Sequence, residues 1–247
     1  MNFLQHQQCE RMIIDMIADN IRKIKEQIAA AAEKVNRSPD SIKLVAVSKR
    51  FPAAKINEAY AAGQILFGEN YIQEVQGKRE QVPSSVIFHF IGHLQSNKAK
   101  IAAATCAMIE TVDSLKLANA LNNHLQTLDR NMDILVQVNI GKEPQKYGIQ
   151  SAAVAELLRG LHELPRLKVC GLMTMPPLED KPELSRPHFA GLRLLSEELM
   201  EKGLFPAVER PELSMGMSSD FHIAIEEGAT MVRVGTAIFG ERQPHIT

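Results

Sequence analysis

The sequence predicts an α/β protein built as a single closed barrel of eight parallel strands, a (β/α)8 TIM barrel preceded by an added N-terminal helix. Three observations predict it. Short runs rich in valine, isoleucine and leucine alternate with longer helix-period stretches from Lys43 to Gly240, the pattern of a parallel sheet covered by helices. The 247 residues match the roughly 250 that such a barrel uses, so none remain for a second domain. No glycine-rich dinucleotide fingerprint follows the first strand, where the runner-up, an open doubly wound sheet, would place one. No shift of composition or long linker divides the chain. Residues 1–247 therefore read as one domain, with residues 1–15 a candidate dispensable tail and Met12 or Met16 candidate start residues.

The elements follow in order. Ile14, Ile17, Ile21, Ile24 and Ile28 recur at spacings of three and four, with Asp15, Asp19, Arg22, Lys23 and Gln27 on the other side. This is an amphipathic helix ending near Asn36 and Ser38-Pro39. Its polar face is of mixed charge, which suits packing on a core better than lying on a membrane. Leu44 to Val47 form an unbroken apolar run, as a strand buried on both faces does, and Pro52 closes it. The first strand is thus 43–48, with a helix at 53–62 ended by Gly63. Strands at 65–68, 86–92, 108–112, 133–139, 167–174, 213–215 and 230–234 follow, with helices at 70–81, 96–103, 114–128, 151–162, 184–203 and 219–227 between them. Gly235 to Gly240 makes a closing helical turn.

Composition narrows the function. With 28 basic against 29 acidic residues and no basic run, nucleic acid is not an expected partner. Cys9, Cys106 and Cys170 are odd in number and widely spaced. They read as reduced thiols of a cytoplasmic protein, with neither a disulfide frame nor a zinc site. No apolar stretch approaches the roughly 20 residues that span a membrane, and the first residues lack the apolar centre of a signal peptide. A monomer is expected, because no helix stripe is obviously spare for a partner.

Functional residues of such barrels gather at the carboxyl ends of the strands. In order these are Lys49; Gly68–Tyr71 (GENY); Ile91–Lys98 (IGHLQSNK); Asn139 and Lys146; Met173; Ser214–Asp220 (SMGMSSD); and Arg233–Gly240 (RVGTAIFG). Barrels commonly bind phosphate with the loops after strands seven and eight. Here those loops hold Gly216 and Ser218 in one, Gly235 and Thr236 in the other. Glycine lets backbone amides approach an anion, and the hydroxyls add donors. Taken singly, Ser218 or Ser219 would only cap the next helix and Gly235 only turn the chain; the coincidence of the two loops favours a phosphate cup. Lys49, alone, would be a solvated strand-end cation. Beside a phosphate cup it suits a phosphorylated aldehyde held as a Schiff base, and pyridoxal 5′-phosphate (PLP) carries both groups. Arg233, two residues before Gly235, lies on the same strand face, near such a cofactor's ring. Facing the pyridine nitrogen it would disfavour protonation there and weaken the ring as an electron sink, which argues against transaminase-type chemistry. Its competing reading is a buried charge paired with a carboxylate that the sequence does not identify.

The set KLVAVSK, FGENYIQE, FHFIGHLQSNK, GLMTM, LSMGMSSDF and TMVRVGTAIFG resembles the PLP homeostasis protein family, also called the YggS/PROSC or PLP-binding-protein family. The resemblance covers roughly residues 17 to 240, with the motifs in the family's order and spacing. It implies a barrel like the N-terminal domain of alanine racemase, with PLP on Lys49. It implies phosphate contacts from Ser218, Gly235 and Thr236, a ring-side Arg233, and a pocket lined by Asn70 and the Ile91-Gly92-His93 turn. Ser214, Gly216 and Met217 complete the cofactor-binding set; no catalytic residue and no metal site are expected. Members often read SKTKP where this chain reads SKRFP, so Phe51 stands where a second lysine is frequent, and any role of that lysine is in doubt here.

Other candidates weigh less. His89 and His93 are four apart, but on a strand and its turn, so helical zinc-ligand logic does not apply; structural or pocket-lining roles are expected. Lys146 is expected to be a solvated charge, His188 and His222 surface residues, and Met173, Met175, Met215 and Met217 packing residues. Two functions of different class follow. One is a carrier and buffer of PLP that passes it to PLP-dependent apo-enzymes. The other is a PLP-dependent amino-acid racemase or lyase. A racemase of this barrel type needs a second base on the opposite ring face, supplied by an additional domain; the candidate tyrosines here are Tyr60, Tyr71 and Tyr147. A third reading is a barrel for some other phosphorylated metabolite, with Lys49 a plain charge contact.

Overall fold

The computed structural model describes residues 3–177 and 179–241, with side chains from residue 16 onward. Helix α1 spans Phe3–Glu33. It starts well before Ile14 because no proline or glycine interrupts residues 3–14. Ile17, Ile21, Ile24 and Ile28 are all buried, and their stripe lies against α2 (Ala53–Ala61), α8 (Phe221–Glu226) and α9 (Thr236–Phe239). Asn20 Nδ2 donates to the Ile238 carbonyl at 3.0 Å. The added helix is therefore fastened across the seam where the last and first strands meet.

Those strands are β1 (Lys43–Val47), β2 (Leu66–Glu69), β3 (Ile87–Phe90), β4 (Met108–Val112), β5 (Met132–Gln137), β6 (Leu167–Met173), β7 (Glu212–Ser214) and β8 (Met231–Val234). They form a closed barrel, each pairing in parallel with the next and β8 returning to β1. Helices α3 (Ile72–Arg79), α4 (Ala99–Thr105), α5 (Leu115–Thr127), α6 (Val154–Leu161) and α7 (Arg186–Glu201) complete the alternation. The predicted helices at 96–103, 151–162 and 184–203 begin instead with 3₁₀ turns at 96–98, 151–153 and 182–185. The predicted fifth strand ends two residues early, at Gln137. Its chain continues into a loop that folds back, with the Ile149 N–H donating to the Gln137 carbonyl and the Asn139 N–H to Ile149.

Successive strand residues face opposite sides, and the barrel uses both. Outward-facing side chains such as Phe67, Phe88, Ile109 and Ile134 pack under the helices. Inward, Val45, Met108, Leu135, Cys170, Met173 and Met231 fill the interior. Residues two further along, Val47, Glu110 and Arg233, therefore form the layer nearer the carboxyl ends. Cys106 and Cys170 are free and buried, and burial pushes both thiols up to about 12; they are packing residues with little thiolate. The side chain of Cys9 lies outside the described residues. No described helix is long and apolar enough to cross a membrane.

Gly171 sets how closely β6 and β7 approach: a Cβ there would lie 2.0 Å from the Glu212 carbonyl oxygen. The obstacle is backbone and cannot rotate away. Gly171→Ala is expected to cost about 3 kcal/mol or more by urea unfolding, as strongly overpacked sites do; an unchanged midpoint would show that the strands can part.

Candidate functional site

One cavity of about 440 Å³ opens at the carboxyl ends of the strands, a size that suits a small-molecule ligand. Lys49, just beyond β1, lines it together with Ser218 from the loop after β7, Gly235 and Thr236 from the end of the neighbouring β8, and Asn70, Ile91, Met217 and Arg233. A larger cavity, of about 640 Å³, lies at the opposite end, beside Lys43, Leu66, Ile87 and Asp133. These residues start their strands, on the face of a parallel barrel that serves stability rather than chemistry.

Local folding explains the arrangement. Val45, Val47 and Lys49 are evenly spaced, so the lysine continues the inward face of β1. The loops after β7 and β8 are joined where the Gly235 N–H donates to Ser218 Oγ at 3.3 Å. Ser218 does not cap α8: Asp220 is the N-cap, and its carboxylate accepts the Met217 N–H at 2.7 Å. Two of the groups expected to grip phosphate thus already face each other. Gly216 has φ +90°, and a Cβ there would sit 2.6 Å from Ala224 Cβ, so its role is to let α8 close over the loop.

Four of the predicted site residues do not line this cavity. Ser214 is fully buried, below the pocket, with its hydroxyl engaged inside the barrel. Gly216 is buried under α8 as described. Gly92 acts through its backbone: a Cβ would lie 2.3 Å from the Asn70 carbonyl oxygen, so glycine lets the loop after β3 ride directly against Asn70. His93 is exposed and stacks on Tyr147 with centroids 3.8 Å apart. His93, Tyr71 and Tyr147 line a neighbouring cavity of about 400 Å³, which Asn70 shares. Val47, Met175 and Ser219 also line the Lys49 cavity. Met175 and Met217 are thus wall residues, whereas Met173 and Met215 are core, as expected of all four. Lys146 pairs with Glu143 at 2.6 Å, and His188 and His222 are half-buried, away from the pocket. Phe51 is buried against Phe239, with ring centroids 5.1 Å apart, so the position of the frequent second lysine is here part of the core.

Arg233 is 3% exposed and meets both of its sequence readings. It lines the cavity, and it is compensated by a carboxylate, Glu110. Its guanidinium donates to Ser214 Oγ at 2.6 Å and to the Thr174 carbonyl at 2.7 Å. Ser214 in turn donates to Glu110 at 2.5 Å. The other carboxylate oxygen of Glu110 lies 2.7 Å from His89 Nδ1, which must carry the proton, because an ionised carboxylate only accepts. Burial alone would push Glu110 up, but the hydrogen bond and charge of His89, the charge of Arg233 and the Ser214 hydroxyl together hold it below the usual carboxylate range. Burial also lowers Arg233, opposed by Glu110 and Asp220. Glu110 was missed in the sequence; its signal is a lone acid alternating with Met108 and Val112 along an otherwise apolar strand. Glu110→Gln removes the larger of the two carboxylate contributions that compensate the guanidinium, leaving Asp220, and should lose about 3 kcal/mol by urea unfolding, the lower end of the usual cost of breaking a buried pair. A loss below about 1 kcal/mol would show that Arg233 is neutralised by other groups.

A second ionic cluster lies behind the loop that carries Lys49. Glu69 is fully buried; one of its carboxylate oxygens accepts from Ser48 Oγ at 2.7 Å and from Lys78 Nζ at 2.8 Å, and the other has no partner among the described residues. Burial raises Glu69 from 4.5 to about 7, against the charge and hydrogen bond of Lys78 and the Ser48 hydroxyl, while Glu74 adds to the rise. Cys106 is the other titratable group coupled to it. The folded chain therefore holds this proton more tightly than the unfolded one. Stability contributed at Glu69 should fall as pH rises from about 4.5 to about 7 and stay level above. Thermal melts across that window should show a decline in the native protein that is flattened in Glu69→Gln; parallel curves would place the titration elsewhere.

Comparison with known proteins agrees with this geometry. Residues 14–243 match the family described as alanine racemase, N-terminal domain. Over 226 residues the chain is 40% identical to a pyridoxal phosphate homeostasis protein of Aquifex aeolicus, covering 91% of this chain and 98% of that one. Over 237 residues it is 42% identical to the Escherichia coli K12 protein of the same name, covering 92% and 97%. Among solved structures, PipY of Synechococcus elongatus PCC7942 with PLP bound matches at 37% identity with a TM-score of 0.79, covering 91% and 100%. An alanine racemase from Corynebacterium glutamicum, 20% identical with a TM-score of 0.70 over 92% of this chain and 62% of its own, shares the fold. The chain belongs to the pyridoxal phosphate homeostasis protein family, built on the alanine racemase N-terminal barrel.

Proposed function

We propose that this chain binds PLP covalently at Lys49 and serves as a cytoplasmic carrier and buffer of the cofactor rather than as a turnover enzyme. The observation that carries the reading is a cavity at the carboxyl ends of the strands that is lined by the primary amine of Lys49, the hydroxyls of Ser218 and Thr236, and Gly235, whose N–H points to Ser218 Oγ. The residues fit the group: donors converge where a phosphate would sit, and the buried Arg233 faces the same space. The named function of the curated relatives and the PLP bound in PipY support it.

PLP supplies an aldehyde that bonds reversibly to amines, and a phosphate by which it is anchored. Lys49 is the amine placed to take that aldehyde. Ser218, Thr236 and the Gly235 N–H would hold the phosphate, and Val47, Ile91, Met175 and Met217 would give the ring an apolar surface. Arg233 can donate but not accept a hydrogen bond, so it keeps a proton off the ring nitrogen and weakens the electron sink that racemisation or elimination needs. Among the described residues lining the cavity, the titratable groups are Lys49 and Arg233. Tyr71 and Tyr147 border the neighbouring cavity instead. A second base of the kind a racemase uses is therefore not built into this wall, which favours holding over turnover. In this reading the chain is one domain with residues 1–15 dispensable, acts as a monomer, and meets PLP-dependent apo-enzymes transiently.

Borohydride reduction of the PLP-loaded protein should leave one reduced pyridoxyl phosphate, mapped by mass spectrometry to Lys49 and lost in Lys49→Ala. Amino acids added to the loaded protein should show no turnover. A label on other lysines, or turnover abolished by Lys49→Ala, would sink the carrier reading.

A further inference from the structure

The turn that carries Lys49 is closed by its own backbone, with the Phe51 N–H donating to the Ser48 carbonyl at 3.1 Å, and one side chain with its two partners adds contacts to the peptide groups on both sides of Lys49. Lys78, on α3, is 7% exposed and uses all three of its ammonium donors. One goes to the carbonyl of Ser48 at 3.1 Å, one to Glu69 at 2.8 Å and one to Glu74 at 2.6 Å. Glu69 holds the Ser48 hydroxyl at 2.7 Å. Glu74 accepts the Arg50 N–H at 2.8 Å. Arg50 itself has φ +66°, a left-handed conformation that a non-glycine residue adopts only when its surroundings hold it. Lys78 therefore ties the carbonyl before Lys49, directly, to the N–H after it, through Glu74. An ion pair serving only to dock α3 on β2 needs Glu69, but not the Ser48 carbonyl, nor the Arg50 amide that Glu74, on α3 itself, accepts.

We propose that Lys78 is a positioning residue for Lys49, clamping the strained turn that carries it so that its amine meets the aldehyde of a ligand anchored at the phosphate cup. This rests on the PLP reading above. Lys78 does not line the cavity, and the cup residues belong to the loops after β7 and β8. Loss of Lys78 should consequently weaken the bond to the aldehyde and leave the phosphate grip intact. A merely structural role would weaken both.

Two ligands separate these cases: PLP, and pyridoxine 5′-phosphate, which has the same ring and phosphate but an alcohol in place of the aldehyde. In titrations of the full chain, Lys78→Met should lower PLP affinity roughly tenfold, the effect of losing a charge-assisted contact, with pyridoxine 5′-phosphate affinity unchanged within about twofold. Lys78→Arg, which keeps the charge and the donors, should recover most of the loss. In cofactor-free protein, hydrogen exchange of the segment Ser48–Phe51 should accelerate in Lys78→Met. If that variant does not fold, because two carboxylates lose their cation, Lys78→Met combined with Glu69→Gln carries the same comparison. Affinities that fall together, or PLP affinity that does not fall, would overturn the role of Lys78 alone. A native chain that does not prefer PLP to pyridoxine 5′-phosphate would overturn the covalent reading, and this inference with it.

Discussion

A guanidinium buried in the middle of a parallel barrel is the constraint around which this interior is arranged. The charge of Arg233 cannot be left in an apolar core, since an unpaired buried ion is far more costly than any packing gain there. Groups at that level and just below answer it: Glu110 supplies the opposite charge, Ser214 bridges the two, the Thr174 carbonyl takes a second donor, and His89 orients the carboxylate from below. The groups come from β3, β4, β7, β8 and the end of β6, so the network crosses the barrel instead of running along one strand. It also fixes the depth of the cavity. Below this layer the interior is methionine, valine and leucine; above it the space is open to a ligand.

The order of strands and helices was legible because strands buried on both faces read as apolar runs, and the helices between them keep their own period. Their ends were less so: 3₁₀ turns at 96–98, 151–153 and 182–185 look like helix in composition. At the site, legibility followed strand parity. Lys49 is legible from its place at the carboxyl end of the first strand, and Arg233 from its even spacing from Gly235; both line the cavity. Ser214 was misplaced because it pairs with Met231, a full step below Arg233, a level that strand spacing alone does not reveal. Gly92 and Gly216 were identified but given the wrong work, since their contribution is the close approach of Asn70 and of α8. Glu110 was invisible because a lone acid in MIETV reads as solvent-facing until the barrel closes around it. Lys78 hid for the same reason, as an ordinary i, i+4 partner of Glu74 on a helix of low apolar content.

The two buried ionic clusters occupy different parts of the barrel, and that difference bears on holding against turnover. The cluster at Arg233 lies within the barrel and leaves a donor-only group under the ligand. The cluster at Lys78 lies behind the wall and reaches the ligand only through the backbone that bears Lys49. Neither offers a carboxylate or an imidazole to the cavity: Glu110, inside the barrel, and Glu69, under α3, are both fully buried and line no part of it, and His89 borders the cavity at the opposite end. Catalysis by proton transfer requires a group within hydrogen-bond reach of the proton it moves, with a pKa near the working pH. Glu69 is raised to about 7, but it does not line the cavity, and its hydrogen-bonded oxygen is taken by Ser48 and Lys78. Glu110 and Glu69 each serve instead to hold a buried cation, Arg233 and Lys78. On the proposed reading, the first of these cations lines the cavity that takes the ligand, and the second holds the turn that bears Lys49.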